Sequence, residues 1–134
     1  MRVKRTLALM GAGAAAMASI AMTAPPASAS DGQEYAKKGS PSHDYWLRCT
    51  TRDGAFGCFQ PYGEYFYIKD IEKEGESPFV QWKSSTGRSG TITAKVGYMN
   101  WGYVNKSFDE STTITFRSCV LVCSKWTSVS AGYE

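Results

Sequence analysis

The sequence predicts an all-β domain, a small antiparallel β-sandwich with a small barrel as the alternative, on three observations. Beyond the first thirty residues no window carries the apolar spacing of a helix. Six or seven short segments instead alternate apolar and polar residues, each closed by turn residues at roughly 8–12 residue spacing. Four cysteines, Cys49, Cys58, Cys119 and Cys123, follow an export signal, a usual way of bracing a domain too small to rely on its core alone.

The export signal occupies residues 1–29. Arg2, Lys4 and Arg5 precede an apolar run of 16 residues, Leu7 to Met22, and Ala27-Ser28-Ala29 supplies a small-residue cleavage site. That order predicts a secretory signal peptide cut after Ala29. A retained anchor is the alternative, but the run is short of the ~20 residues that span a bilayer, and no later stretch approaches that length. Lys4-Arg5 in place of an Arg-Arg pair argues against twin-arginine export. Three of the fifteen basic residues leave with the leader while all twelve carboxylates stay, so the mature chain is neutral. A basic footprint for nucleic acid or an anionic membrane is absent. The expected product is a secreted, extracellular monomer.

In the mature chain, residues 30–44 have almost no apolar content and are expected to form a flexible arm, leaving a β domain over 45–134. Its first element is a hairpin around Asp53-Gly54, a dipeptide suited to a type I′ turn with both central residues at positive φ. Glu64 to Lys69, rich in aromatic and β-branched residues, is the next strand, ended by Glu74-Gly75-Glu76-Ser77-Pro78. Phe79 to Lys83 follows, with Val80 and Trp82 on one face. After the interruption Ser84–Gly90, Thr91 to Val96 alternates with Ile92, Ala94 and Val96 inward. Trp101 to Val104 is a short strand, Ser111 to Arg117 repeats the alternation with Ile114 and Phe116 inside, and Lys125 to Val129 is the last.

The hairpin bears on the disulfides. A two-residue turn at Asp53-Gly54 sets Cys49 opposite Cys58 at a non-hydrogen-bonded pair, where the Cα atoms approach closely enough for a disulfide. By elimination Cys119 pairs with Cys123. Four residues of strand would hold those two about 13 Å apart, beyond the roughly 7 Å limit for bridged Cα atoms. The bond therefore requires Val120-Leu121-Val122 to form a tight loop; the alternative is that Val120 and Val122 continue the core strand and the thiols stay unpaired.

The run Gly57-Cys-Phe-Gln-Pro-Tyr-Gly-Glu-Tyr-Phe-Tyr-Ile-Lys-Asp70, with Val80-Gln-Trp82, Gly87-Arg-Ser-Gly90, Trp101-Gly102 and Phe116-Arg-Ser-Cys119, resembles small secreted actinobacterial proteins of uncharacterised function. The resemblance spans nearly all of Cys49 to Trp126. It implies export and a β fold, and places aliphatic Ile92 and Val104 where similar chains carry a further cysteine pair. It implies no activity.

Residues suited to catalysis are few. The sole histidine, His43, falls in the expected arm beside Asp44, which removes the usual base of a serine or cysteine triad. Four cysteines committed to disulfides leave zinc without ligands. Asp70, Glu72, Glu74 and Glu76 recur at every second position; extended, they would align as weak candidates for Ca²⁺ or for an acid–base pair, while Gly75 and Pro78 favour a solvated turn. No cofactor is expected.

Two classes of function follow. One is a non-enzymatic module binding an extracellular protein, polysaccharide or cell-wall surface. Its contacts would come from the disulfide-pinned Val120, Leu121 and Val122 loop, or from an aromatic face built on Tyr65 and Tyr67. The other is a small carboxylate hydrolase with Arg88 or Arg117 as charge stabiliser. A structural surface protein is a third possibility. The first is the expectation, without a catalytic residue.

Overall fold

The computed structural model describes residues 29–73 and 75–132 of the 134-residue chain. Most of the expected signal peptide, up to residue 28, and Glu74 of the acidic run lie outside the described residues. Ten strands make up the described chain: β1 (Ala29–Tyr35), β2 (Lys37–Lys38), β3 (Arg48–Arg52), β4 (Ala55–Gln60), β5 (Tyr65–Asp70), β6 (Phe79–Ser84), β7 (Arg88–Thr93), β8 (Trp101–Asn105), β9 (Thr113–Cys119) and β10 (Thr127–Ser130). They form two five-stranded sheets, β1-β7-β6-β9-β10 and β2-β8-β5-β4-β3, packed as a sandwich and not closed into a barrel.

Alternation along each strand fills the space between the sheets. Val80, Trp82, Ile92, Ile114 and Phe116 from the first sheet meet Phe59, Phe66 and Ile68 from the second. Phe66 lies at the centre, with ring centroids 4.9 Å from Phe59, 5.7 Å from Trp82 and 6.0 Å from Phe116. The sheets approach closely at Gly57, where an added Cβ would lie 2.5 Å from both Ser118 Oγ and Val80 Cγ2. Ser118 is fully buried, and its hydroxyl ties the sheets by donating to the Thr50 carbonyl at 3.1 Å while standing 2.6 Å from Thr50 Oγ1. Gly57→Ala is expected to lower stability by about 1–3 kcal/mol through forced overpacking at this seam. A denaturant titration that shows an unchanged midpoint would refute the close approach.

The first hairpin has the expected register, Cys49 opposite Cys58 and Arg52 opposite Ala55. Its turn differs: Asp53 takes φ 48° but Gly54 stays outside the left-handed region, so this is not the type I′ geometry. The register survives because loop length, two residues in either case, sets which residues face each other. Cys49–Cys58 and Cys119–Cys123 are both bonded, each with Cα atoms 4.0 Å apart. The second closes the tight loop, with Val120 N–H donating to the Val122 carbonyl and Ser124 N–H to the Ser118 carbonyl.

The expected arm is instead part of the body. β1 pairs in parallel with β7, Gln33 opposite Thr91 and Tyr35 opposite Thr93, and β2 pairs with β8. A polar strand is held here by its ladder and by charge. The register shifts between Ser30 and Gly32, and Gly32 takes φ 76°; the bulge leaves Asp31 unpaired in the ladder and re-aims it. Arg88 donates to both Asp31 carboxylate oxygens, at 3.2 and 2.8 Å. Lys106 Nζ, on a buried side chain, lies 2.7 Å from Asp31 and 2.6 Å from Glu34. Composition alone registers apolar burial, and β1 offers little of it.

This clamp makes an acid-stability prediction. The Arg88 hydrogen bonds, with Lys106 adding to them and partial burial opposing, hold the Asp31 carboxyl down at about 2 from an ordinary 3.8. A depressed carboxylate stabilises the fold above its unfolded value, and that contribution is lost as pH falls through the folded value. Asp31→Asn is therefore expected to melt below wild type at neutral pH, with the gap closing between about pH 4 and pH 2. A constant gap across that window would show that Asp31 does not supply it.

The remaining boundaries move by a few residues. Arg88 to Gly90, expected as interruption, is strand, with Ser89 and Gly90 paired to β6 and Arg88 to β1, and β7 ends at Thr93 rather than Val96. Gly90 faces Trp82 across that ladder, and its missing side chain makes room for the indole, since a Cβ there would sit 2.8 Å from Nε1.

Candidate functional site

Strand alternation also dictates what the second sheet shows to the outside. With Phe66 and Ile68 turned into the core, Tyr65, Tyr67 and Lys69 of β5 point outward. The ladder sets Tyr103 and Cys58 on either side of Tyr67, Trp101 and Phe56 on either side of Lys69, and Asn105 and Gln60 on either side of Tyr65. The outer face is therefore aromatic along β5 and β8. Tyr65 stacks on Tyr67 at 5.7 Å, Tyr103 lies 5.9 Å from Tyr65 and 6.4 Å from Tyr67, and Trp101 lies 6.2 Å from Tyr67. Lys69 Nζ caps the Trp101 ring at 5.2 Å. The Cys49–Cys58 bond runs through this face and links its edge strand to the row that carries Tyr67.

Connectivity builds a wall on this floor. β2 and β3 occupy opposite edges of the sheet, so residues 39–47 must run from one edge to the other. Gly39 begins the crossing against the Tyr103 ring, where a Cβ would stand 2.8 Å from Cδ1, and Gly39 N–H donates to the Trp101 carbonyl. Tyr45 ends it stacked on Tyr62 at 4.2 Å, the two rings nearly parallel. Between floor and strap lies a cleft of about 430 Å³ lined by Tyr45, Tyr62, Tyr65, Tyr67, Tyr103, Gln60 and the strap residues Gly39, Ser40 and Ser42. None of these side chains is charged. Burial, with Tyr65 and Tyr103 adding to it, pushes the Tyr67 hydroxyl above its usual value and keeps it a neutral donor. A second hollow, of about 270 Å³, shares Tyr62 as a wall and continues past Trp46 and Arg48.

Gln60 has an unusual position in the cleft. It is 2% exposed, and its Nε2 donates to the Tyr62 carbonyl at 2.6 Å. That bond fixes the amide orientation, since a flipped amide would set oxygen against oxygen. Oε1 then has no hydrogen-bond partner.

The residues singled out from sequence fall into separate places. Tyr65 and Tyr67 share the cleft, but Tyr67 is only 6% exposed and forms its floor rather than an open platform. Of the apolar loop, Leu121 and Val122 are exposed, Leu121 at 83%, and Val120 is buried, so the tip presents two apolar residues rather than three. No residue of that loop lines the cleft.

Asp70 Oδ1 accepts the Glu72 N–H at 3.1 Å, turning the chain directly after β5, and Glu74 lies outside the described residues. Among the described residues no group of three or more potential ligands is placed to hold a metal ion. Arg88 is engaged by Asp31, and Arg117 donates to Gln81 while lying 4.4 Å over the Trp126 ring. Asp31 and Asp109 are both held below the ordinary carboxylate range, Asp109 by hydrogen bonds from Ser111. A general acid needs the opposite shift.

Sequence reasoning reached Tyr65 and Tyr67 but missed the strap and Gln60. The first half of the strap, Gly39-Ser-Pro-Ser42, carries turn chemistry alone, and its crossing depends on which edges β2 and β3 occupy. Among the described residues no helix is long and apolar enough to cross a membrane. No protein-family model, no curated protein and no solved structure matches this chain.

Proposed function

We propose that this protein is an exported, non-catalytic binding module whose ligand-contacting surface is the tyrosine cleft on the outer face of the second sheet. One observation carries the reading: five tyrosines from β5, β8, the strap and the turn after β4 converge on a single uncharged cleft. The core is already filled without them, so their clustering outside it is not needed for the sandwich. Tyrosine brings a rigid apolar ring and a polar tip at little entropic cost, which is why it recurs at recognition sites. The disulfide beside Tyr67 stiffens the floor, which lowers the ordering cost of binding. Export is supported by the leader signature and by two disulfides, which persist in oxidising surroundings. The carboxylate-hydrolase alternative has less support, because both arginines it would use are engaged and neither shifted carboxylate is raised.

A second reading places binding at the 119–123 loop, favoured by the 83% exposure of Leu121 on a pinned turn. Immobilised mature protein, exposed to the macromolecules of the culture medium, separates the two. Tyr62→Ala and Tyr65→Ala are expected to reduce captured material at least about tenfold, while Leu121→Asp retains it. Loss in Leu121→Asp with retention in both tyrosine variants would move the site to the loop.

A further inference from the structure

We infer that the ligand of the tyrosine cleft is a neutral glycan, recognised by ring stacking on Tyr65 and Tyr62 and by a hydroxyl donated to Gln60 Oε1. The inference rests on the cleft being the binding surface and adds the chemistry of what it binds. No lining side chain is charged, so neither an anionic nor a cationic polymer finds a counter-charge there. Tyrosine rings offer flat apolar faces that match the C–H faces of a pyranose. Their hydroxyls, with Ser40 and Ser42, supply the donors and acceptors that sugar hydroxyls need.

Gln60 selects among neutral ligands. Its Nε2 is engaged by the Tyr62 carbonyl, and Oε1 is a buried acceptor without a donor, an arrangement that is costly until a donor arrives. A proline-rich peptide would suit an aromatic groove, but prolines carry no N–H and present mainly carbonyl acceptors. A sugar hydroxyl donates. Because Oε1 is enclosed in the free protein, engaging it includes a small outward shift of the cleft wall. The neighbouring hollow at Trp46 and Arg48, which shares Tyr62 as a lining residue, gives a second sugar unit of the same chain a place to lie.

The test is retention of the mature protein on insoluble cellulose, chitin and starch, beside immobilised heparin and a polyproline peptide. Wild type is expected to bind at least one neutral polysaccharide, with retention unchanged between about 0.05 and 0.5 M NaCl because no ion pairs form. Tyr62→Ala, Tyr65→Ala and Gln60→Leu, each checked for native near-UV circular dichroism, are expected to lower it at least about tenfold. Tyr62, partly exposed, is the variant least prone to unfold. Retention on heparin or polyproline alone, lost in Tyr62→Ala, overturns the glycan assignment and leaves the cleft as the site. Glycan retention unaffected by the variants overturns both, and no retention on any neutral polysaccharide overturns the inference.

Discussion

Phe66→Ala is expected to lower the unfolding free energy by about 3–5 kcal/mol, near the upper end of what a single core truncation costs. The ring is fully buried and lies where both sheets meet, within 6.4 Å, centroid to centroid, of Phe59, Trp82, Phe108 and Phe116. Truncation removes the transfer free energy of the ring and leaves a cavity that its neighbours fill poorly, because each is itself packed in place. Against a typical total of about 5–15 kcal/mol, this is a large fraction of the stability of the domain. Chemical denaturation of the mature protein with its disulfides intact reports it. A loss below about 1 kcal/mol would mean that Phe66 is not the centre of an inter-sheet core.

Replacing Cys49 and Cys58 together by alanine is expected to cost about 3 kcal/mol. The bond closes a loop with a sequence separation of 9, and the entropy withheld from the unfolded chain sets the scale. For a domain of this size the midpoint should fall on the order of 10–20 °C. The Cys119–Cys123 bond closes a shorter loop, separation 4, so its removal should cost less, about 2 kcal/mol. The two losses differ in kind as well. Cys58 lies beside Tyr67 on the outer face, so the first double variant should also weaken retention at the cleft, whereas the second should disturb only the leucine tip. Equal loss of ligand retention in both would show that the disulfide beside Tyr67 does not stiffen the floor.

The clamp on β1 and the cleft on the second sheet are built in the same way. Asp31, Glu34, Arg88 and Lys106 come from positions far apart in the chain, and none stands out in its local context. Only when β1 lies parallel to β7 do two carboxylates find two cations on one side of the sandwich. Likewise Tyr45 joins Tyr62, Tyr65, Tyr67 and Tyr103 only because the chain must cross from one sheet edge to the other.

Local rules were legible in the bare chain. Alternation assigned Val80, Trp82, Ile92, Ile114 and Phe116 to the core, since strand period is a property of adjacent residues. A two-residue turn placed Cys49 against Cys58, since loop length sets register. The short span from Cys119 to Cys123 forced a loop once the two were bonded, since strand rise is constant. Associations between distant segments came only with the folded arrangement: the docking of a polar first strand, the edge-to-edge path of the strap, and the partnerless oxygen of Gln60 within a tyrosine cleft. Backbone ladders and ion pairs gain their stability from partners that no local window contains, so a segment with little apolar content looks free until its neighbours are in place.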